Sequence, residues 1–171
     1  PGDTIEIRYT LAVLTQGSAT VIDNVQIFDA VPAKTTYIPG SMRVATNEGV
    51  TYKAFTDASD ADGGTKSGSN ITLNIGKNAN ATTGGRIKSD SSRPSFYGNT
   101  CIMMACYRVR INTTTLYGDT LNIIGRIRYR SVSPATGYVD KTFDTTQILI
   151  FMASGFCNQG KAISAASDFA G

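Results

Sequence analysis

Apolar and polar residues alternate with a period of two along most of this chain. From Thr4 to Leu14, Ile5, Ile7, Tyr9, Leu11 and Val13 fall on one side, and Glu6, Arg8 and Thr10 on the other. That is the pattern of a strand with one buried face. The same alternation predicts strands over Thr20 to Phe28, Thr35 to Ile38, Met42 to Ala45, Val50 to Phe55, Ile71 to Ile75, Cys101 to Ile111, Leu121 to Tyr129 and Thr145 to Met152. Gln16-Gly17-Ser18, Pro39-Gly40, Thr113 to Asp119 and Pro134 to Gly137 supply turns between them. In the stretch Asp23 to Ala33, Val25, Ile27 and Asp29 share one face, and Asn24, Gln26 and Phe28 the other. The residue before Pro32 is held extended, and a fixed turn follows. No segment has the 3.6-residue period of an amphipathic helix. Many short strands separated by turns predict an all-β, two-sheet β-sandwich.

Two segments depart from the pattern. Asp57 to Asn70 is rich in Asp, Gly and Ser and predicts a loop. Residues 77–99 are poor in apolar side chains and dense in Gly, Ser, Asn and Thr, which predicts a long surface insertion. After residue 153 the periodicity ends. The expected organisation is therefore a sandwich over residues 1–153 and a linker or tail over 154–171, with no internal repeat.

Composition narrows the chemistry. With 171 residues, the chain can bury a core without metal or disulfide staples. It has no histidine, which removes Ser-His-Asp and Cys-His catalysis and His-ligated zinc or copper. The formal net charge is +3. Arg108 and Arg110, and Arg126, Arg128 and Arg130, recur at every second position and so share sheet faces. The small net charge and the scarcity of nearby aromatics favour solvated sheet faces over a nucleic-acid surface. Cys101 and Cys106 stand five residues apart in one predicted strand, on opposite faces, and cannot pair without a bulge. Cys157 could join either of them, or all three thiols could stay reduced and buried. The apolar run Gln147 to Met152 is far too short to cross a membrane. The opening Pro1-Gly2-Asp3 has neither the basic start nor the apolar run of a signal peptide, and reads as a boundary inside a longer protein or a processed end.

Few residue sets could carry a site. Asp57, Asp60 and Asp62, followed by Gly63-Gly64, gather hard oxygen ligands in a loop, without the closing Glu of an EF-hand. Two readings stand: a structural calcium site and a solvated acidic turn. Asp23 and Asp29 suit side-chain capping of turns. Asn70-Ile71-Thr72, Asn80-Ala81-Thr82 and Asn112-Thr113-Thr114 match the N-glycosylation pattern at Asn70, Asn80 and Asn112. Lys53 and Lys141 are the lysines placed beside strand cores, where an isopeptide bond to a side-chain amide or acid would have to form.

The motifs also carry a resemblance. Pro1-Gly2-Asp3-Thr4-Ile5, the segment Asp23 to Ala33, and Tyr37-Ile38-Pro39-Gly40-Ser41 resemble, in order, the opening, the central motif and the following segment of the repeat module known as domain of unknown function eleven. Thr56 to Asp62, Leu73-Asn74-Ile75-Gly76 and Tyr107-Arg108-Val109-Arg110-Ile111 continue the match over about the first three quarters of the chain. The insertion before Cys101 is longer than in that family, and the cysteines are not part of its pattern. The resemblance implies an immunoglobulin-like sandwich from a large secreted or cell-surface protein of bacteria or archaea. In the family a further strand precedes the Pro-Gly-Asp opening. It would lie upstream in a longer chain or be supplied by another subunit, the donor-strand route to a fibre.

The expected function is thus a structural or adhesive module of an extracellular or cell-surface protein: a stalk, adhesin or filament building block, not an enzyme. Its expected partners are neighbouring modules or subunits of the same protein and a host or surface glycan. Nucleic acid and membrane insertion are not expected, nor is any cofactor beyond a structural calcium. The alternative is a glycan- or protein-binding module that uses the 57–62 loop and the 77–99 insertion, with Phe96 and Tyr97 as contacts.

Overall fold

A computed structural model describes residues 2–13, 20–46, 51–89, 101–116, 118–133, 137–144 and 148–151. Every regular element among them is a strand: β1 Thr4–Val13, β2 Val21–Ala30, β3 Thr35–Tyr37, β4 Arg43–Thr46, β5 Thr51–Ala54, β6 Gly64–Ser67, β7 Asn70–Asn74, β8 Gly85–Lys88, β9 Cys101–Ile111, β10 Thr120–Ile123, β11 Arg126–Ser133, β12 Gly137–Asp144 and β13 Ile148–Phe151. All pairings are antiparallel. The first sheet runs β1-β9-β4-β5, with β3 also on β9. The second runs β12-β11-β2-β7-β6, with β8 also on β2. β10 and β13 form a two-stranded ribbon.

Each large sheet is organised by one long strand. β9 holds β1 along its full length on one edge, and β3 then β4 in succession on the other. β2 holds β11 on one edge, and β7 then β8 on the other. Both sheets feed one core. Ile7, Tyr9, Val13, Tyr37, Val44, Met103, Ala105, Tyr107 and Val109 come from the first sheet, and Ile22, Val25, Ile27, Ile71, Leu73, Ile87 and Ile127 from the second. This shared core makes the molecule the expected two-sheet β-sandwich. Each fully buried aliphatic side chain contributes about 1.5–3 kcal/mol, so the alternation seen in the sequence is also the main cohesive term. In β1, Ile7, Tyr9 and Val13 are buried while Thr4, Arg8 and Thr10 are exposed, as the period-two pattern requires.

The structure corrects the expected strands in four places. The loop expected over Asp57 to Asn70 contains β6, which forms a hairpin with β7. The surface insertion expected over 77–99 contributes β8 to the second sheet, with Ile87 2% exposed and Ser89 fully buried. Residues 90–99, with Phe96 and Tyr97, lie outside the described residues. The single strand expected over Leu121 to Tyr129 is two strands in different sheets, β10 and β11, parted at Ile124-Gly125. A Cβ on Gly125 would meet the Tyr9 ring at 2.4 Å, so the chain passes that ring only as glycine. Finally, Gly137–Asp144 forms an unexpected strand, β12, along β11. The 154–171 tail lies outside the described residues.

β2 also contains an irregularity that the alternation does not reveal. Asn24 has a positive φ of 51°. The register of β2 shifts there against both β11 and β8. This is a β-bulge, in which one extra residue re-phases the strand. It lets Ile22 and Val25, three positions apart, both point into the core.

Candidate functional site

The segment Asp23 to Asp29 is the most motif-like part of the chain, and its polar side chains are spent inside the fold. Asp23 grips Arg86 through both carboxylate oxygens, at 2.6 and 3.0 Å. Asn24 Oδ1 accepts from the Gly84 N–H at 3.0 Å. Gln26 donates to Asn74 Oδ1 at 2.8 Å, and Asn74 donates in turn to the Asn80 carbonyl. Asp29 lies on the inward face with Val25 and Ile27. Its Oδ2 accepts from the phenols of Tyr9 on β1 and Tyr107 on β9, and its Oδ1 from the Ala30 N–H. One carboxylate of the second sheet thus ties down two strands of the first. Asp23 and Asp29, expected to cap turns, instead pair with residues far away in sequence, although Asp29 keeps one local bond.

Electrostatics agree with a structural role for this lock. Burial raises the Asp29 pKa, while the two phenols and the Ala30 N–H act in the opposite sense. Burial, followed by the adjacent Asp29 charge and hydrogen bond, pushes both Tyr9 and Tyr107 above the ordinary tyrosine range. A buried acid needs donors. Its presence on an apolar face was visible in the sequence, but its partners depend on how the sheets stack.

In the loop expected to gather calcium ligands, each aspartate accepts hydrogen bonds from protein donors. Asp57 accepts from the Tyr37 phenol at 2.6 Å and from the Gly40 N–H at 3.0 Å. Asp60 accepts from the Thr56 hydroxyl and the Asp62 N–H, and Asp62 from the Thr56 and Gly64 N–H groups. Among the described residues, no group of three or more acidic, histidine or cysteine side chains is placed to hold a metal ion. Asp60 and Asp62 thus cap their own loop, and Asp57 reaches out of it to the Tyr37–Ser41 turn. Asp57 also fixes the Tyr37 to Ser41 turn, and Tyr37 is pushed up to about 12 by burial and by its bond to Asp57.

The outer face of the first sheet carries a different constellation, which sequence spacing within single strands did not reveal. Strand register sets Arg8 and Arg43 on either side of Cys106, and Glu6 opposite Arg108. Glu6 accepts from Arg8 at 2.5 Å, from Arg43 at 3.0 Å and from Arg108 at 3.2 Å. The hydrogen bond from Arg8, then that from Arg108 and the surrounding positive charge, hold the Glu6 carboxyl below its usual range. Cys106 is a buried free thiol, and burial raises its pKa above the ordinary thiol value. β9 pairs with β1 without any register shift between Cys101 and Arg110, so no bulge brings Cys101 towards Cys106. Cys157 lies outside the described residues.

The remaining predicted positions are dispersed. Asn70 is exposed at the β6–β7 hairpin. Asn80 is exposed, and its Oδ1 accepts from the N–H and hydroxyl groups of Thr82 and Thr83. Asn112 is half-buried and accepts from the Thr36 hydroxyl at 2.6 Å. Lys53 and Lys141 are both exposed, whereas Asp29 is buried and accepts from Tyr9, Tyr107 and the Ala30 N–H. Arg126 and Arg128 are exposed on β11, and Arg130 forms an ion pair with Asp140 of β12. No helix among the described residues is long and apolar enough to cross a membrane.

No family model and no curated protein matches the chain. Among solved structures it is similar to the collagen binding domain of the surface protein RspB of Erysipelothrix rhusiopathiae. The identity is 13% and the TM-score 0.43, over 86% of this chain and 41% of that one. The chain spans about two-fifths of the length of that structure.

Proposed function

We propose that this chain is a structural or adhesive module of an extracellular or cell-surface protein, of the domain-of-unknown-function-eleven type, and that it performs no catalysis of its own. The observation that carries this reading is the use made of the Asp23 to Asp29 segment. Its only deeply placed acid bonds two tyrosines across the sandwich, and its other polar groups clamp β7, β8 and the 80–84 turn. A signature spent on holding sheets together suits a module selected for its fold. The ordered resemblance of the motifs over three quarters of the chain supports the same conclusion. Among the described residues β1 is an edge strand that pairs with β9 alone. Its outer edge is the kind of surface through which sandwiches add a strand from a neighbour, and we propose it as the route of contact with adjacent modules or subunits.

The test is immunogold electron microscopy of native cells with antibody against this chain. Regularly spaced label along a surface layer or fibre is the expected result. Label confined to the cell interior overturns the reading.

A further inference from the structure

We propose that the outer face of the first sheet, centred on Arg108 and Arg110, is a docking surface for a linear polysaccharide bearing carboxylate or sulfate groups. The inference rests on the surface-module reading only for where such a polymer would be met. The chemistry of the face stands by itself.

Four strands, β1, β3, β4 and β9, build this face. Register places Thr4 of β1 and Thr36 of β3 on either side of Arg110, Glu6 opposite Arg108, and Arg8 and Arg43 on either side of Cys106. The inward alternates along β9, Ala105, Tyr107 and Val109, are in the core, so the arginines necessarily face out. Four guanidinium groups therefore share a patch with one carboxylate. The excess of three positive charges equals the formal net charge of the entire chain. Glu6 does not neutralise the patch; it organises it. By accepting from Arg8, Arg43 and Arg108, it holds three long side chains in one arrangement while Arg8 and Arg108 remain nearly half exposed. Ordering these side chains in advance reduces the entropy lost on binding an anion. Arg110, two residues along β9 from Arg108, extends the positive row by about 7 Å.

The rest of the face selects among polyanions. Single-stranded nucleic acid needs aromatic platforms for its bases, and duplex readers insert a helix or ribbon into a groove. The residues paired with Arg108 and Arg110 are Glu6, Thr4 and Thr36, none of them aromatic. An acidic peptide would draw its affinity from apolar anchors or from main-chain pairing; the open edge for such pairing is the outer edge of β1, beside this face, and a peptide there would not need Arg108 and Arg110 of the interior strand β9. A polysaccharide needs only what is present: charge-assisted donors for its acid groups, in forked geometry, and exposed hydroxyls such as those of Thr4 and Thr10.

The test uses the purified 171-residue chain and a size-defined heparin oligosaccharide, followed by isothermal titration at low and at physiological salt. Binding that weakens with salt is expected. The double variant Arg108→Ser/Arg110→Ser should lose about tenfold or more in affinity, as expected for two charge-assisted contacts. The double variant Arg126→Ser/Arg128→Ser removes the same charge from the other sheet and should bind like the parent. Equal weakening in both variants would reduce the effect to net charge and overturn the proposal. So would absence of binding at low salt, or tighter binding of polyglutamate or of single- or double-stranded DNA. Failure here removes the glycan face and leaves the module reading to the labelling experiment, which does not depend on it.

Discussion

Asp29 is a carboxylate placed where an apolar residue would otherwise stand. It is 9% exposed, between core positions on β2, and is tolerated because Tyr9, Tyr107 and the Ala30 N–H all donate to it. Removing one donor leaves a buried acceptor short, a loss of about 1–3 kcal/mol. Tyr107→Phe keeps the ring that fills the core and deletes only the hydroxyl, so its cost isolates the bond. Urea denaturation should show the midpoint falling with an unchanged m-value. A midpoint equal to that of the parent would mean that the Tyr9 bond alone holds the acid, and that the lock between sheets is not cooperative. That an acid sat on this face was legible from its spacing to Val25 and Ile27. The identity of its partners was not, because Tyr9 and Tyr107 stand 20 and 78 residues away in sequence and meet it only once the sheets stack.

At the scale of the strands, legibility followed apolar content. β1, β7 and β9 announce themselves because apolar residues recur at every second position, and β2 does so at Val25 and Ile27. β6 and β8, Gly64–Ser67 and Gly85–Lys88, have at most one such residue each and looked like loop. They are strands because β7 and β2 offer them open edges, so their structure is dictated by neighbours. The break between β10 and β11 was hidden for the opposite reason: Ile123, Gly125 and Ile127 keep their phase straight through it and all remain buried. The bulge at Asn24 was hidden because one inserted residue leaves the local composition unchanged. That bulge explains Gly84. A Cβ there would lie 2.2 Å from the Val25 carbonyl oxygen and 2.5 Å from the Asn24 carbonyl carbon, backbone atoms that cannot rotate away. Gly84→Ala must therefore push β8 off β2 and weaken the Asn24 bond to the residue 84 N–H. A loss of about 1–3 kcal/mol is expected. In hydrogen exchange, the amides of Gly85 to Lys88 should lose protection before those of β9. Unchanged protection in β8 would show that the close approach is not needed to hold the strand.

Across the whole molecule, three phenols join the cohesion of the sandwich to pH. Tyr9 and Tyr107 donate to Asp29, and Tyr37 donates to Asp57. Burial foremost, then the acceptor acids, raises all three, Tyr37 to about 12 and the other two further. In the unfolded chain the same groups ionise near pH 10. Above that pH the unfolded state sheds protons that the folded state keeps, so the folded state binds more protons and stability must fall as pH rises. The stabilisation is complete below about pH 10 and is withdrawn as pH climbs towards the folded values, by up to about 1.4 kcal/mol per pH unit for each phenol. The share of each phenol has to be read from variants. Stability measured by denaturant at pH 8, 10 and 11 should decline steeply for the parent. The decline should be shallower by about one proton for Tyr37→Phe, whose ring sits at the sheet edge over the Asp57 turn, and again for Tyr9→Phe in the central lock. If the two variants decline as steeply as the parent, the phenols are not the alkaline weak point. The Tyr–Asp pairs would then be no more than passengers in a core held by its aliphatic residues.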